Sequence, residues 1–361
     1  MVQDFLEDTS RHSLPSRLVA FESNELVGTI VLRERGTKML PQHQPELGGL
    51  FVRVYQNSHL SRAQTYKSLT IRITAMIDYE KATQFIWDNA RLLERAVFGV
   101  FFFDDPGQRV IAALRTYQNE DGGFGHALEP DLRARESQLL FVEFALSTLY
   151  FCGLRAPQLA EPACRFVAQY ADLEEGIPTL LPSSQKYSRA FHWHDPQALL
   201  PSVDRLIGLV GLLNWQELEH PWLEGAVQAA VRKLRETKLT DAHTIHTAFR
   251  LVESLGQAAG KEELFQKLAA DLKEADYYCA QAPTEDYCLT PLDFAPWPES
   301  FCSRIFSHAQ LQGHLDELEA RQQDDGGWSI AWEPPSEAAQ WEWRAQRTVI
   351  ALVTLKKYGR F

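Results

Sequence analysis

The chain has 361 residues, 45% of them hydrophobic and 23% charged, the balance of a globular protein long enough for two cores. A formal net charge of −12 leaves no basic surplus to neutralise phosphates, so no nucleic-acid partner is expected, although a local pocket can differ in sign from the whole. Five cysteines, odd in number and without a Cys-x-x-Cys pair, argue against a disulfide framework or a zinc ribbon.

The first residues, Met1 to Asp8, are acidic and lack the apolar segment of a signal peptide, which predicts a cytoplasmic protein. Leu18 to Glu22 and Leu26 to Leu32 then read as β-strands around the turn-forming Ser23-Asn24-Glu25, with a third apolar stretch from Leu50 to Val54. This run resembles the middle of a GNAT acetyltransferase. That family carries Gln/Arg-x-x-Gly-x-Gly/Ala after such a strand, where backbone N–H groups hold the acetyl-CoA pyrophosphate. Here Tyr55 to Ala63 contains no glycine, and its side chains would obstruct the close backbone approach. Residues 1–74 are therefore expected to be a truncated GNAT-like segment without acetyl-CoA binding; an N-acetyltransferase is the third functional reading.

From Ile77 the periodicity turns helical. Phe85, Ile86, Ala90, Leu93, Ala96, Val97 and Val100 form one stripe, predicting a helix that stops near Asp104-Asp105-Pro106-Gly107. The longest apolar run, Ala96 to Phe103, is far too short for a transmembrane segment. Further helices are expected at Val110–Leu114, Leu139–Leu149, Val203–Leu213, Ala226–Leu234, Thr244–Leu255 and Gln346–Tyr358. Residues 75–361 thus read as mainly all-α.

Within this region Gln118-Asn119-Glu120-Asp121-Gly122-Gly123-Phe124 recurs as Gln322-Gln323-Asp324-Asp325-Gly326-Gly327-Trp328, 204 residues later, four intervals of about fifty-one. A worn copy, Gln169 to Pro178, lies one interval after the first. Fifty residues make one helical hairpin, and stacked hairpins imply a solenoid or a closed ring. The turns resemble the QW motifs of squalene-hopene cyclases and the repeats of protein prenyltransferases. That resemblance implies an α/α-toroid over residues 75–361, with each glutamine bonded to backbone groups at helix ends. It makes the turn acids, Asp121 and Asp325, caps rather than catalysts.

The resemblance also says what to seek. Squalene-type cyclases protonate an alkene with an Asp-x-Asp-Asp run, which this chain lacks. The nearest segment is Gly125 to Arg133, where Glu129 and Asp131 flank Pro130, with His126 and Arg133 as partners able to set their protonation. The plainer reading is a helix start with Asp131 as N-cap and a Glu129–Arg133 ion pair. Asp104-Asp105 and Asp324-Asp325 lack the third acid of a magnesium-diphosphate site. Asp286-Tyr287-Cys288 has the local form of a prenyltransferase zinc pair, but His308 and His314 follow too soon. No metal and no cofactor are expected.

Candidate substrate-binding groups are His192, Trp193, His194 and Asp195 in one loop, Asp293 in another, and Trp332 and Glu333 in a third; Glu342 and Arg344 form a further candidate pair. Nine tryptophans and twenty phenylalanines suit both a cation-stabilising cavity and ordinary helix packing. The expected function is a cyclase-like or prenyltransferase-like protein holding an isoprenoid or other apolar small molecule, with peripheral membrane contact left open. The rival is a non-catalytic toroid that binds glycans or peptides.

Overall fold

The structure is a computed structural model. It describes residues 77–361 except position 285, together with the backbone of four strands nearer the N-terminus. These strands, β1 (Arg17–Glu22), β2 (Glu25–Arg33), β3 (Phe51–Val54) and β4 (Thr70–Thr74), form an antiparallel sheet in the order β3-β2-β1-β4. Arg17 stands opposite Val31 on one side and Thr74 on the other. The three apolar stretches read as strands coincide with β1 to β3, whereas β4 was not foreseen. The glycine-free Tyr55–Ala63 stretch lies outside the described residues.

The helical unit is separate and comprises Tyr79–Glu317 with Gln322–Arg360. It runs through α1 (Tyr79–Asn89), α2 (Leu92–Phe102), α3 (Gln108–Arg115), α4 (Leu139–Phe151), α5 (Pro157–Tyr170), α6 (Val203–Trp215), α7 (Pro221–Glu236), α8 (Ala242–Ser254), α9 (Lys261–Leu272), the short α10 (Pro291–Phe294), α11 (His308–Ala320) and α12 (Glu337–Lys357). A two-residue strand pair, Ile177–Pro178 with Pro201–Ser202, is the only regular sheet among its described residues.

Alternate helices differ in composition. Helices α4 and α6 are apolar almost all round, as expected of helices enclosed on every side. Helices α5 and α7 bury one stripe and keep a polar outer face. Across the inner layer, Arg205 of α6 pairs with Glu143 of α4, and Arg250 of α8 donates to Ser147 of α4 at 2.7 Å. The last helix returns to the start of the unit: Lys356 of α12 donates to the Phe101 carbonyl of α2 at 2.7 Å. The result is a closed ring of helical hairpins, an α/α-toroid.

Two local expectations change. The stripe from Phe85 to Val100 is not one helix, because the chain breaks at Ala90–Arg91 between α1 and α2. Arg91 caps α2 in extended backbone, and its guanidinium is drawn away to the carbonyls of Ala127 and Leu128 and to Glu94. Cys279 and Cys288 form a single disulfide, which the reading against a disulfide framework did not anticipate. Backbone bonds from Cys279 N–H to Leu289 and from Leu289 N–H to Tyr277 lay the two segments side by side, and no sequence spacing announces that pairing. The Cys288 sulfur is thereby withdrawn from any Asp-x-Cys metal pair.

Both Gly-Gly turns fold alike. The Gln118 amide donates to the Gly122 carbonyl at 2.9 Å and to Leu159 at 2.9 Å; that of Gln322 donates to Gly326 at 3.0 Å. Asp121 and Asp325 accept the N–H of Gly123 and Gly327. Gly122 and Gly326 have φ of 87° and 90°, and a Cβ on either would lie within about 2.5 Å of a neighbouring helix carbonyl, Pro162 or Lys81. These acids shape turns. No helix among the described residues is long and apolar enough to cross a membrane.

Candidate active site

The loop between α3 and α4 doubles back on itself. His126 and Ala127 bond through their N–H groups to the carbonyls of Arg135 and Ala134, and both adopt left-handed backbone with φ of 58° and 56°. Such a conformation disfavours a non-glycine residue by about 1–2 kcal/mol. The sharp reversal carries the tip inward: Leu128 and Leu132 are fully buried, and between them Glu129 and Asp131 are 6% and 2% exposed. A second segment locks the tip, as Arg133 N–H donates to the Ser188 carbonyl and Ala190 N–H to that of Asp131.

The two carboxyls occupy different surroundings. Glu129 accepts the N–H of Asp131 at 3.0 Å. Burial first, and then the neighbouring Asp131, hold its pKa well above the usual range, with Arg205 and Arg91 opposing only in part. Asp131 Oδ1 accepts the indole N–H of Trp343 at 2.8 Å, and Oδ2 lies 3.6 Å from His192 Nε2. Burial raises the Asp131 pKa to about 6, although the indoles of Trp343 and Trp332 favour the anion. The Trp332 N–H is buried and completes no well-formed hydrogen bond among the described residues, so Trp343 is the bonded indole and Trp332 only points its donor at the carboxyl. His192 is itself pushed toward the neutral form, by burial and by His243.

An aromatic wall continues from these groups. The rings of Phe144 and Trp343 stand 6.0 Å apart, Trp343 and Trp332 5.3 Å, and Trp332 and Tyr287 5.6 Å, all edge to face. Beyond them, the Tyr287 hydroxyl lies 2.8 Å from His243 Nε2, and His243 Nδ1 lies 3.3 Å from Asp241. This is a carboxylate–imidazole–phenol chain at the mouth of the ring. Burial would raise the Asp241 pKa, but His243 and the amides at the start of α8 outweigh it and hold the carboxylate ionised. The phenol of Tyr287 is pushed up to about 12, by burial and by the acids of this mouth, so it keeps its proton.

The proposed partners of the carboxyl pair lie elsewhere. His126 is exposed and takes no part in the pair. Arg133 does not bind Glu129; it clamps Glu342 of α12 at 2.6 Å, and Arg91 stands 3.9 Å from the same carboxylate. Asp131 begins no helix. Glu342 and Arg344 do not pair either, because side chains two positions apart on a helix face different ways; Arg344 reaches Asp325 at 2.8 Å instead. In the 191–195 loop, His192 meets Asp131, Trp193 is half-buried with its indole N–H unbonded, His194 is exposed, and Asp195 caps a single turn by accepting Gln197 N–H. Asp293 accepts the N–H and hydroxyl of Thr290 and lies 3.7 Å from Arg347, Trp332 joins the aromatic wall, and Glu333 is exposed. Trp343, Tyr287, His243 and Asp241 were not singled out as site residues; their only sequence signal was residue type.

No family model and no curated protein sequence matches the chain. Solved structures that resemble it include a protein from Actinoplanes, at 14% identity and a TM-score of 0.47, covering 78% of this chain and 98% of that one. A variant of the type II terpene cyclase MstE from Scytonema, in complex with its substrate geranylgeranyl dihydroxybenzoate, matches at 12% identity and 0.44, covering 76% and 96%. The same cyclase without ligand gives 13% and 0.43, covering 77% and 97%. Likeness at this level fixes neither activity nor substrate.

Proposed function

We propose that the helical unit is a terpenoid cyclase-like enzyme that protonates an unsaturated apolar chain held inside the ring. The observation that carries this reading is Asp131: a buried carboxyl that keeps its proton to about pH 6, faces aromatic rings and has a histidine on its outer side. The proton passes from Asp131 to one carbon of a C=C bond and leaves a carbocation on the other. The Trp343 N–H stabilises the carboxylate left behind, and the faces of Phe144, Trp332 and Trp343 favour the cation. His192, half-exposed, returns a proton from solvent to Asp131.

The second proton leaves by the other polar chain. Tyr287 accepts it from the carbon beside the cation while its own phenolic proton moves to His243, and Asp241 stabilises the imidazolium. The product therefore has the mass of the substrate. Glu129 and Arg133 are positioning residues here: the first fixes the loop tip and the second fixes α12. The turns resembling QW motifs agree with this reading, as does the ring itself.

The test is incubation with squalene and polyprenyl substrates in D2O, followed by mass spectrometry. The wild-type chain should give isomers carrying one deuterium on carbon, and Asp131→Asn should lose at least a hundredfold in rate. Equal turnover by the variant would sink the assignment. One feature favours the glycan-binding rival: the mouth is polar, with Asp204, Asp241, His243 and Tyr287 within one cluster. Calorimetry with oligosaccharides separates the two readings.

A further inference from the structure

Inside the ring, past Phe144, lies a cavity of about 200 Å³ lined from four helices. Leu93 and Val97 of α2, Phe144 and Phe151 of α4, and Val349 and Ile350 of α12 make most of it apolar. Arg250 of α8 also lines it. A guanidinium cannot shed its charge at ordinary pH, so in apolar surroundings it needs an anion or a full set of acceptors.

Arg250 has neither. Its guanidinium donates to two neutral groups, Ser147 Oγ at 2.7 Å and His246 Nε2 at 3.3 Å, and lies 4.7 Å from the centre of the Tyr150 ring. Among the described residues, no carboxylate lies within ion-pair distance of it. Glu253, the nearest acid on its own helix, is engaged by the Tyr150 hydroxyl. Glu94, the acid that lines the cavity, is held by the Nε and Nη2 groups of Arg91 and is not available to Arg250. His246 cannot compensate, since burial and the adjacent Arg250 hold it neutral. The loss of hydration is the largest influence on Arg250, opposed in part by the more distant charges of Tyr150, Glu253 and Cys302, and its side chain lines the cavity.

We infer that Arg250 is a binding site for the anionic head of a small amphipathic ligand whose apolar body fills the cavity between α2, α4 and α12. A carboxylate or a phosphate ester would serve equally, since both accept the two parallel N–H bonds of the fork. At about 200 Å³ the space is smaller than a drug-sized pocket, so it takes a short chain or the headgroup end of a longer one. The Phe144–Trp343 contact links it to Asp131, which puts such a ligand's far end near the proton donor. This site stands on the cavity and on a cation in its wall without a direct ion pair, and it does not require the proton chemistry proposed above.

The experiment is calorimetric titration of the full chain with octanoate, octyl phosphate and octanol, three probes sharing one apolar body. At least one anion should bind ten times or more tighter than octanol, and the better of the two identifies the head. Arg250→Met should abolish that preference while octanol binding persists. Ser147→Ala, a smaller change, should narrow it a few-fold, and circular dichroism verifies that each variant folds. An anion affinity no greater than that of octanol in the wild-type chain would overturn the inference without any variant. So would a preference that survives in folded Arg250→Met. Neither result touches the deuterium assay, which reads Asp131 alone.

Discussion

Asp131 combines two features that act on its pKa in opposite directions, near-complete burial and a hydrogen bond that favours its anion. Burial dominates, so the folded pKa of about 6 exceeds the unfolded value of 3.8. A raised carboxyl pKa means that the folded chain binds the proton more tightly than the unfolded chain between those values. Stability contributed by the protonated form is therefore lost as pH rises from about 4 to about 6. Two outcomes follow for Asp131→Asn, which keeps the shape and removes the charge. At pH 7.5 the variant should be more stable than the wild type by about 1–2 kcal/mol, read as a higher urea midpoint. Its activity should be lost at every pH, whereas wild-type kcat/KM should fall as pH passes upward through about 6. A wild-type profile flat from pH 5 to 8 would remove Asp131 as the acid. The opposite signs of the stability and activity effects mark a group retained for chemistry rather than for folding.

At the scale of single elements, the two Gly-Gly turns make the clearest quantitative case. Gly122 needs its positive φ and also lies against the Pro162 carbonyl of α5, whereas Gly153 shares the positive φ (67°) but has open space around it. Gly122→Ala should cost about 2–4 kcal/mol, because strain and steric overlap act together; Gly153→Ala should cost about 1 kcal/mol from strain alone. Thermal unfolding of the pair measures the difference. These turns were legible in the sequence because the bonds that define each are local: the Gln118 amide on the Gly122 carbonyl and Asp121 on the Gly123 N–H lie within one seven-residue segment, although Leu159, Pro162, Arg135, Ser137 and Gln138 also pack or bond against it. The amphipathic stripes were legible for the same reason. The break at Arg91 was not, since the groups that hold its side chain include carbonyls 36 and 37 residues away. The sequence likewise put Glu129 and Asp131 side by side but could not reveal their partners, Trp343 and His192, which arrive from other parts of the ring.

Closure of the helical unit is where these scales meet. The loop before α4 and the final helix α12 are joined by two contacts spanning more than 200 residues, Trp343 to Asp131 and Glu342 to Arg133. One belongs to the reacting group and the other only positions it, so substitutions at the two should behave differently. Trp343→Phe keeps the ring in the aromatic wall and deletes the N–H that favours the Asp131 anion. Without that bond the Asp131 pKa should rise, moving the upper limb of the kcat/KM profile to higher pH while kcat falls, because the carboxylate left by proton transfer is less stable. Glu342→Gln should leave the midpoint near its wild-type position and lower kcat and stability together, since it loosens α12 without touching Asp131. Its cost should be about 2–4 kcal/mol, as it strands the Arg133 cation, which is more than half-buried against it. Paired pH profiles of the two variants read this distinction directly. A midpoint that moves with Glu342→Gln and stays with Trp343→Phe would mean that the ion pair, not the indole, controls the acid.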